Sequence, residues 1–437
     1  MRKFFSLVRY HYKPYPYVLA LLATILLVYT SLISSSEQTQ LEQARSADSF
    51  VDSIGIVTHL RYLDTAYKNY NSIIKPRLRE LEIRHIRDGG KSDTFYQKLN
   101  ELATVGIKST LVMDPRDGTK PVDALTILKA VPKSIEAVEG PNETDLNNFS
   151  YNGKLFPDAT YDYQNELYAT IKGDSLSASL PVLQPSMGWG KNITKLSFLT
   201  LFDMGNIHSY PEQGQPPTNK FDSWHLKFAR SGAAKNKPIV VTETGYHNAV
   251  NNPLSLSALS EQASSKYLPR LLLEYFNRSI KQTFIYELIN EKPGTDQEQN
   301  FGLLRYDGSP KPAFIAIKNL ILLLKDPGSR TFPLKTLDYS LYGNTTDVHH
   351  TLLQKRDGKF YLIMWQEVYS WDTRNKKDRV VPHRNVTLNL NTLISRTVLY
   401  QPINSITPIR EDKSPKQLEL SISDAPLVIE LVPDSKL

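Results

Sequence analysis

The feature that most constrains the fold is an alternation of short apolar runs with longer amphipathic runs between Ser53 and Asp326. Strands that alternate with helices predict parallel βαβ units, and eight such units predict a closed (β/α)8 barrel. The predicted strands are Ile54–Val57, Ile83–Ile86, Ile107–Met113, Ile135–Val138, Leu180–Leu183, Met204–Ile207, Pro238–Thr242 and Thr283–Tyr286. The helical patterns include Thr65–Leu81, Phe95–Thr104, Tyr161–Ile171, Ser257–Arg278 and Pro312–Leu324.

The pattern changes after the last of these helices. Short β-like runs follow one another, turn-rich segments join them, and no helical periodicity is evident. We therefore expect an α/β barrel over residues 49–328 and an all-β, sandwich-like accessory domain over residues 329–437. The β-like runs are Tyr361–Trp365, Val386–Leu390, Thr397–Leu399, Leu418–Ile422 and Leu427–Leu431.

The N-terminal segment predicts a membrane anchor. Tyr15–Ile33 carries no charge and is close to the roughly 20 residues that span a bilayer as a helix. Arg2, Lys3, Arg9 and Lys13 precede it, which places residues 1–14 in the cytoplasm and the remainder in the periplasm or outside the cell. Residues 34–48 are expected to be a polar linker. The alternative is a cleaved signal peptide, although this apolar run is longer than usual for one.

The amino-acid composition excludes several classes of binding and catalytic site. The net charge is +7, and the N-terminal 36 residues carry +4 of it, so the folded part is nearly balanced and nucleic-acid binding has no support. Cysteine is absent, which excludes disulfides, thiolate metal sites and thiol catalysis. The nine histidines are scattered, so the sequence predicts neither a metal site nor a cofactor.

Carboxylates stand where an active site is expected. The mouth of a (β/α)8 barrel lies at the C-terminal ends of its strands. The fourth predicted strand ends AVEGPNETDL, which places Asn142 and Glu143 just beyond it, and the seventh ends IVVTETGYH, which places Glu243 at its tip. Retaining cleavage of a glycosidic bond needs two carboxyls about 5–5.5 Å apart, one to protonate the leaving oxygen and one to attack the anomeric carbon. Alternatively, Glu143 is an ordinary loop carboxylate without a catalytic role.

On these motifs the chain, over about residues 53–325, resembles the clan A retaining glycoside hydrolases, most nearly family 39 and its unclassified relatives. EGPNE is similar to the clan's Asn-Glu motif, and VVTETGY to its nucleophile strand. The resemblance implies that Glu143 is the general acid/base and Glu243 the nucleophile, and that Asn142 holds the sugar 2-hydroxyl. It also implies that Arg87, in HIRDGG, hydrogen-bonds the nucleophile, and that His208 and Tyr210, in NIHSYP, lie beside both carboxylates.

One position departs from the clan. Many members have a tryptophan at the end of the eighth strand as a floor for the sugar, whereas this chain has Tyr286 and Glu287. Two further residues are candidates for substrate contact: His59, which could equally be structural, and Trp189, whose ring could stack on a pyranose.

These features predict a retaining β-glycosidase or endo-β-glycanase that acts on an extracytoplasmic oligo- or polysaccharide. Transglycosylation shares the same covalent intermediate, and the rival class is a non-catalytic carbohydrate-binding or scaffold barrel of the cell envelope. Because two close carboxylates do not both ionise easily, we also expect Glu143 to be protonated, with a raised pKa, and Glu243 to be ionised.

Overall fold

A computed structural model describes residues 38–146, 148–252, 258–328 and 331–434. The predicted cytoplasmic segment 1–14 and the predicted anchor Tyr15–Ile33 lie outside these residues. Among the residues described, no helix combines the length and the apolar character that a membrane crossing needs.

The described chain begins with two strands, β1 (Gln38–Gln43) and β2 (Arg45–Ser46). β1 runs antiparallel to Thr336–Gly343, and β2 runs parallel to Val348–Gln354. The prediction of a polar linker over 34–48 is therefore wrong for these strands. Backbone hydrogen bonds add a strand to a sheet edge without any apolar periodicity, so the polar sequence gave no signal.

Eight parallel strands form the barrel that the sequence predicts, and each pairs with its neighbour around the ring. The last strand pairs with the first, and a parallel bridge between Leu183 and Met204 completes the circle. A small hairpin, β7 (Ser150–Tyr151) and β8 (Lys154–Leu155), interrupts the series. The barrel strands are β3 (Ile54–Val57), β4 (His85–Gly89), β5 (Lys108–Val112), β6 (Ile135–Glu139), β9 (Val182–Leu183), β10 (Gly205–His208), β11 (Ile239–Thr244) and β12 (Thr283–Ile285).

Helices surround the barrel. The predicted helix Thr65–Leu81 is instead a 3-10 turn (Ala66–Lys68), a π-helical turn (Tyr70–Ile74) and only then α2. Pro76 lies in the first turn of α2, where its missing N–H costs nothing, whereas a regular helix starting at Thr65 would place it in the interior, where it removes a hydrogen bond and crowds the preceding turn. The α-helices are α1 (Ala47–Asp52), α2 (Lys75–Glu80), α3 (Asp93–Thr104), α4 (Ala124–Ala130), α5 (Asp158–Gly173), α6 (Lys227–Ser231), α7 (Glu261–Asn277) and α8 (Pro312–Leu324).

The C-terminal part is all β. Its strands are β13 (Thr336–Gly343), β14 (Val348–Gln354), β15 (Phe360–Gln366), β16 (Trp371–Asp372), β17 (Lys377–Asp378), β18 (Arg384–Leu390), β19 (Ile394–Tyr400), β20 (Pro408–Lys413), β21 (Gln417–Ile422) and β22 (Leu427–Pro433). A four-stranded sheet, β1-β13-β18-β21, faces a six-stranded sheet, β2-β14-β15-β22-β19-β20. Tyr339 and Leu388 of the first sheet pack with Leu362 and Ile429 of the second in one core.

The other face of the six-stranded sheet packs on the barrel. Ile363 and Trp365 of β15 belong to the same apolar core as the barrel helices, and every residue of β15 is buried. Arg270 of α7 pairs with Glu367 at 2.7 Å, and both side chains are almost inaccessible to solvent. A sheet covered on both sides reads as a continuous apolar run, as FYLIMWQ does.

Candidate active site

Two carboxylates converge at the mouth of the barrel. Glu143 lies four residues beyond the end of β6, and Glu243 lies in β11. One oxygen of each carboxylate and a ring nitrogen of His208 all lie within 4.8 Å of one another. The backbone of Glu143 has a φ of 40°, in the left-handed region that non-glycine residues seldom adopt, and its N–H donates to Oγ of Ser186 at 3.0 Å. Such backbone geometry is concentrated at functional sites.

Two donors hold the carboxylate of Glu243. Nη1 of Arg87 donates to Oε1 at 2.6 Å, and the hydroxyl of Tyr210 donates to Oε2 at 2.8 Å. Only about a tenth of the Glu243 side chain is exposed to solvent, so these two donors, rather than water, fix the orientation of its carboxyl group.

A third glutamate, Glu139, holds Arg87 in place. Nε and Nη2 of Arg87 donate to the two carboxylate oxygens of Glu139 at 2.6 and 2.8 Å, the fork geometry that guanidinium and carboxylate groups share. Asn206 and Thr242 also donate to Glu139, which is completely buried. Burial lowers the pKa of Arg87, but the charges of Glu139 and Glu243 outweigh it and raise that pKa above its usual value.

The sequence analysis missed Glu139. It is the first residue of the EGPNE motif, and two positions before it Ala137 packs in the barrel interior. Because side chains alternate along a strand, this spacing directs Glu139 inward as well. A charged residue at an interior position is the signal that would have revealed it.

His208 lies between the two carboxylates. Its Nδ1 is 2.9 Å from Oε1 of Glu143 and 3.5 Å from Oε2 of Glu243, and its Nε2 is 3.1 Å from the hydroxyl of Thr242. Burial lowers the pKa of His208, but the negative charges of Glu243 and Glu143 outweigh it, so the pKa is raised.

The expectation of a raised pKa for Glu143 is wrong in this structure. Burial raises the pKa of Glu143, but the hydrogen bond and the positive charge of His208 outweigh burial and lower the pKa below its usual value. Glu143 and His208 are close enough to share one proton, so they titrate as a pair rather than as separate groups.

Glu143, Glu243 and Tyr210 line a cavity of about 410 Å³. Asn142 and Tyr286 line it too, and so does His59, as the sequence analysis allowed. Oδ1 of Asn142 accepts from Nη2 of Arg87 at 2.8 Å. The remaining lining residues, which the sequence did not single out as substrate contacts, are Tyr62, Pro211, Glu212, Gly245, Tyr246, His247, Gln297, Glu298 and Phe301.

Four predicted site residues do not line the cavity. Arg87 and His208 instead contact the carboxylates that do. Glu287 is completely buried, and its Oε2 accepts from the hydroxyl of Tyr67 at 3.1 Å. Burial raises the pKa of Glu287 well above its usual value. Trp189 is 63% exposed; its backbone N–H donates to Asp145, and its carbonyl oxygen accepts from the N–H of Asn192.

No family model matches the sequence, and no curated protein matches it. Solved structures do match. A family 39 glycoside hydrolase from Bacteroides cellulosilyticus WH2 aligns with 89% of this chain and 81% of its own length, at 17% identity and a TM-score of 0.57. The fold resembles that of a family 39 glycoside hydrolase. The resemblance predicted from the motifs is thus confirmed at the level of the fold.

A second match extends over less of the chain. A β-1,3-glucanosyltransferase from Rhizomucor miehei aligns with 60% of this chain and 96% of its own length, at 18% identity and a TM-score of 0.45. At these identities the likeness concerns the fold, so function has to be argued from the site itself.

Proposed function

We propose that this protein is a retaining glycoside hydrolase in which Glu243 is the nucleophile and Glu143 the general acid/base. The observation that carries the proposal is the pair of donors, Arg87 and Tyr210, on a carboxylate that lies within 4.8 Å of a second one. Retaining enzymes need roughly 5–5.5 Å between their carboxyls, whereas inverting enzymes need roughly 6.5–9.5 Å to admit a water molecule. The short separation supports retention.

The two steps follow from the contacts. In the first step, Glu243 attacks the anomeric carbon while Glu143 gives a proton to the glycosidic oxygen, so that the C–O bond breaks and a glycosyl-enzyme ester forms. In the second step, Glu143 takes a proton from water, and the water oxygen displaces Glu243 from the anomeric carbon. In the resting enzyme the proton that Glu143 gives in the first step can reside on His208, 2.9 Å away, and it is replaced by the proton taken from water in the second step.

The cavity supports a carbohydrate as the substrate. Tyr210, Tyr286 and Phe301 pack edge to face against one another in its wall, with ring centroids 5.2–6.3 Å apart. Aromatic surface of this kind packs against the apolar face of a sugar ring.

We propose a β-glycosidase or an endo-β-glycanase, acting on an extracytoplasmic oligo- or polysaccharide. The proposed location, anchored outside the cytoplasm, rests on the uncharged run Tyr15–Ile33.

The test is an assay of the full-length protein on aryl β-glycosides and on a panel of polysaccharides, with the first product observed by proton NMR. We expect hydrolysis in which the β-anomer appears first, and a loss of activity on polysaccharide in Glu143→Gln. An α-anomer as first product would refute retention. No hydrolysis of any substrate, together with measurable polysaccharide binding, would favour the non-catalytic carbohydrate-binding barrel.

A further inference from the structure

A second cluster of potential ligands lies beside the cavity, at the ends of β3 and β12, which are neighbours in the barrel. Nε2 of His59 is 3.8 Å from Oε2 of Glu287 and 3.8 Å from Oε1 of Glu291, and the three atoms all lie within 4.8 Å of one another. We propose that His59, Glu287 and Glu291 form a binding site for a divalent metal cation, which we call the β3–β12 site.

Hydrogen bonding distinguishes this cluster from the catalytic one. At the catalytic cluster, His208 is 2.9 Å from Glu143, which is an ordinary hydrogen bond. At the β3–β12 site, 3.8 Å is too long for one, and the buried Nε2 of His59 has no hydrogen-bond partner among the residues that the structure describes. Within the same part of the chain, Oε1 of the completely buried Glu287 has none either. Buried polar atoms without partners are costly, so each such atom in a folded protein calls for a ligand or another explanation.

The charged groups around Glu287 and Glu291 also favour a bound cation. Apart from His59, no basic side chain of the described residues lies within 4.0 Å of the carboxylate of Glu287 or Glu291. The nearby cations are engaged elsewhere, since Lys292 pairs with Asp64 at 2.6 Å and Lys311 donates to the amides of Asn248 and Asn290. The two carboxyl groups, one of them wholly buried, therefore share a site in which His59 is the one basic side chain of the described residues within this distance, and a bound cation would balance their charge.

The ligands indicate which cation. One imidazole nitrogen and two carboxylate oxygens match Zn²⁺, which takes three protein ligands at roughly 2.0–2.2 Å and leaves one position open. Two ligands of one such ion lie roughly 3–4 Å apart, close to the separations at the β3–β12 site. Mg²⁺ and Ca²⁺ prefer sites made of oxygen alone.

Neighbouring side chains orient the ligands. The ring of Tyr62 stacks on His59 with centroids 4.7 Å apart and planes 4° from parallel. The hydroxyl of Tyr67 donates to Oε2 of Glu287 at 3.1 Å. Such contacts fix ligand rotamers in metal sites. His59 also lines the cavity, so the cation would lie at the cavity wall.

The experiment measures binding rather than activity, so its result is independent of the proposed function. The full-length protein is treated with EDTA, dialysed and titrated with ZnCl2 by calorimetry, and its Tm is measured with and without Zn²⁺. We expect one Zn²⁺ per chain and a higher Tm in Zn²⁺. Glu291→Gln should bind at least tenfold more weakly and lose the Tm increase. Its side chain is 20% exposed, so the variant should fold, which circular dichroism can verify.

Glu143→Gln is the matched control, because it removes one carboxylate from the catalytic cluster and leaves the β3–β12 site intact. It should bind Zn²⁺ as the unmodified protein does. Absence of Zn²⁺ binding to the unmodified protein would overturn the proposal, as would binding that survives Glu291→Gln but is lost in Glu143→Gln. A preference for Mg²⁺ or Ca²⁺ over Zn²⁺ would overturn the assignment of the cation.

Discussion

Nη1 of Arg87 donates to Oε1 of Glu243 across 2.6 Å. The same guanidinium is fixed from behind by the bidentate pair with Glu139, so its position does not depend on the substrate. The carboxyl group of Glu243 is thus oriented toward the cavity before any sugar binds. Preorganised charge of this kind is usually a large part of enzymatic rate enhancement.

Replacing the proposed nucleophile should stop the reaction. Glu243→Ala removes the only carboxylate that Arg87 and Tyr210 orient toward the cavity, so we expect turnover to fall roughly 10⁴-fold or more on every substrate. Steady-state assays on aryl glycosides and polysaccharide measure this. Glu212→Ala is the matched control, since Glu212 lines the same cavity but is more than half exposed. An equal loss in both variants would contradict the assignment.

Replacing the proposed acid/base should act on one step more than the other. In Glu143→Ala, a dinitrophenyl glycoside needs no proton to leave, so the first step should survive and the glycosyl-enzyme should accumulate, because no base activates water. Azide attacks without a base and should restore turnover, with the β-glycosyl azide as the product. A burst experiment and product NMR measure both effects. Neither a burst nor an azide adduct would show that Glu143 has another role.

The proton shared by Glu143 and His208 should appear in the pH profile. The pair keeps one proton until the pH passes the raised pKa of His208, so the basic limb of kcat/KM should report that value. In His208→Gln, Glu143 alone must hold the proton, and the basic limb should move to lower pH. The measurement is kcat/KM against pH for both proteins. A shift to higher pH would mean that His208 lowers the pKa of Glu143 without sharing its proton.

His85 should make stability depend on pH. It lies at the start of β4, with Nδ1 2.7 Å from Glu136 and Nε2 3.1 Å from Asp52. Burial lowers its pKa, but these two acids outweigh burial and raise the pKa to about 9. A raised folded pKa means that the stabilisation is complete below the unfolded value near 6.5 and is lost as the pH rises through about 9.

The shift of the His85 pKa from 6.5 to about 9 corresponds to about 3 kcal/mol. His85→Gln should therefore lower the free energy of unfolding by up to this amount at pH 6, and by much less at pH 10. Urea unfolding of both proteins at the two pH values measures the difference. A destabilisation that is the same at both would show that His85 contributes packing rather than charge.

Arg270 should hold the β sheets against the barrel. Its guanidinium pairs with Glu367 and donates to the carbonyl oxygen of Val368, and the side chain is completely buried. Arg270→Ala leaves Glu367 buried without its partner, which typically costs 3–5 kcal/mol. Calorimetry should show a lower Tm. Lys154→Ala is the control, because Lys154 is 51% exposed and its partner Asp162 is 30% exposed, and it should cost far less.

The sequence predicts the barrel well because each strand is an apolar run flanked by helices, and it predicts Glu143 and Glu243 because a barrel mouth lies at the strand ends. It does not predict which groups touch across the barrel. The lowered pKa of Glu143 depends on a contact with His208, 65 residues away, that no local pattern encodes. Likewise Glu287 follows a strand end, as a site residue would, yet it is completely buried and does not line the cavity.

The pairing of β1 and β2 with the C-terminal strands limits where the protein can be truncated. Residues that precede the barrel in the sequence and residues that follow it belong to the same pair of sheets. The barrel is therefore inserted into the all-β domain. Expression from residue 49 would remove an edge strand from each sheet, and stopping at residue 328 would leave β1 and β2 with nothing to pair against. The smallest fragment with intact sheets therefore has to include β1 and β2 as well as the C-terminal strands. Dividing the chain within a surface loop of the barrel would disturb these sheets less than either truncation.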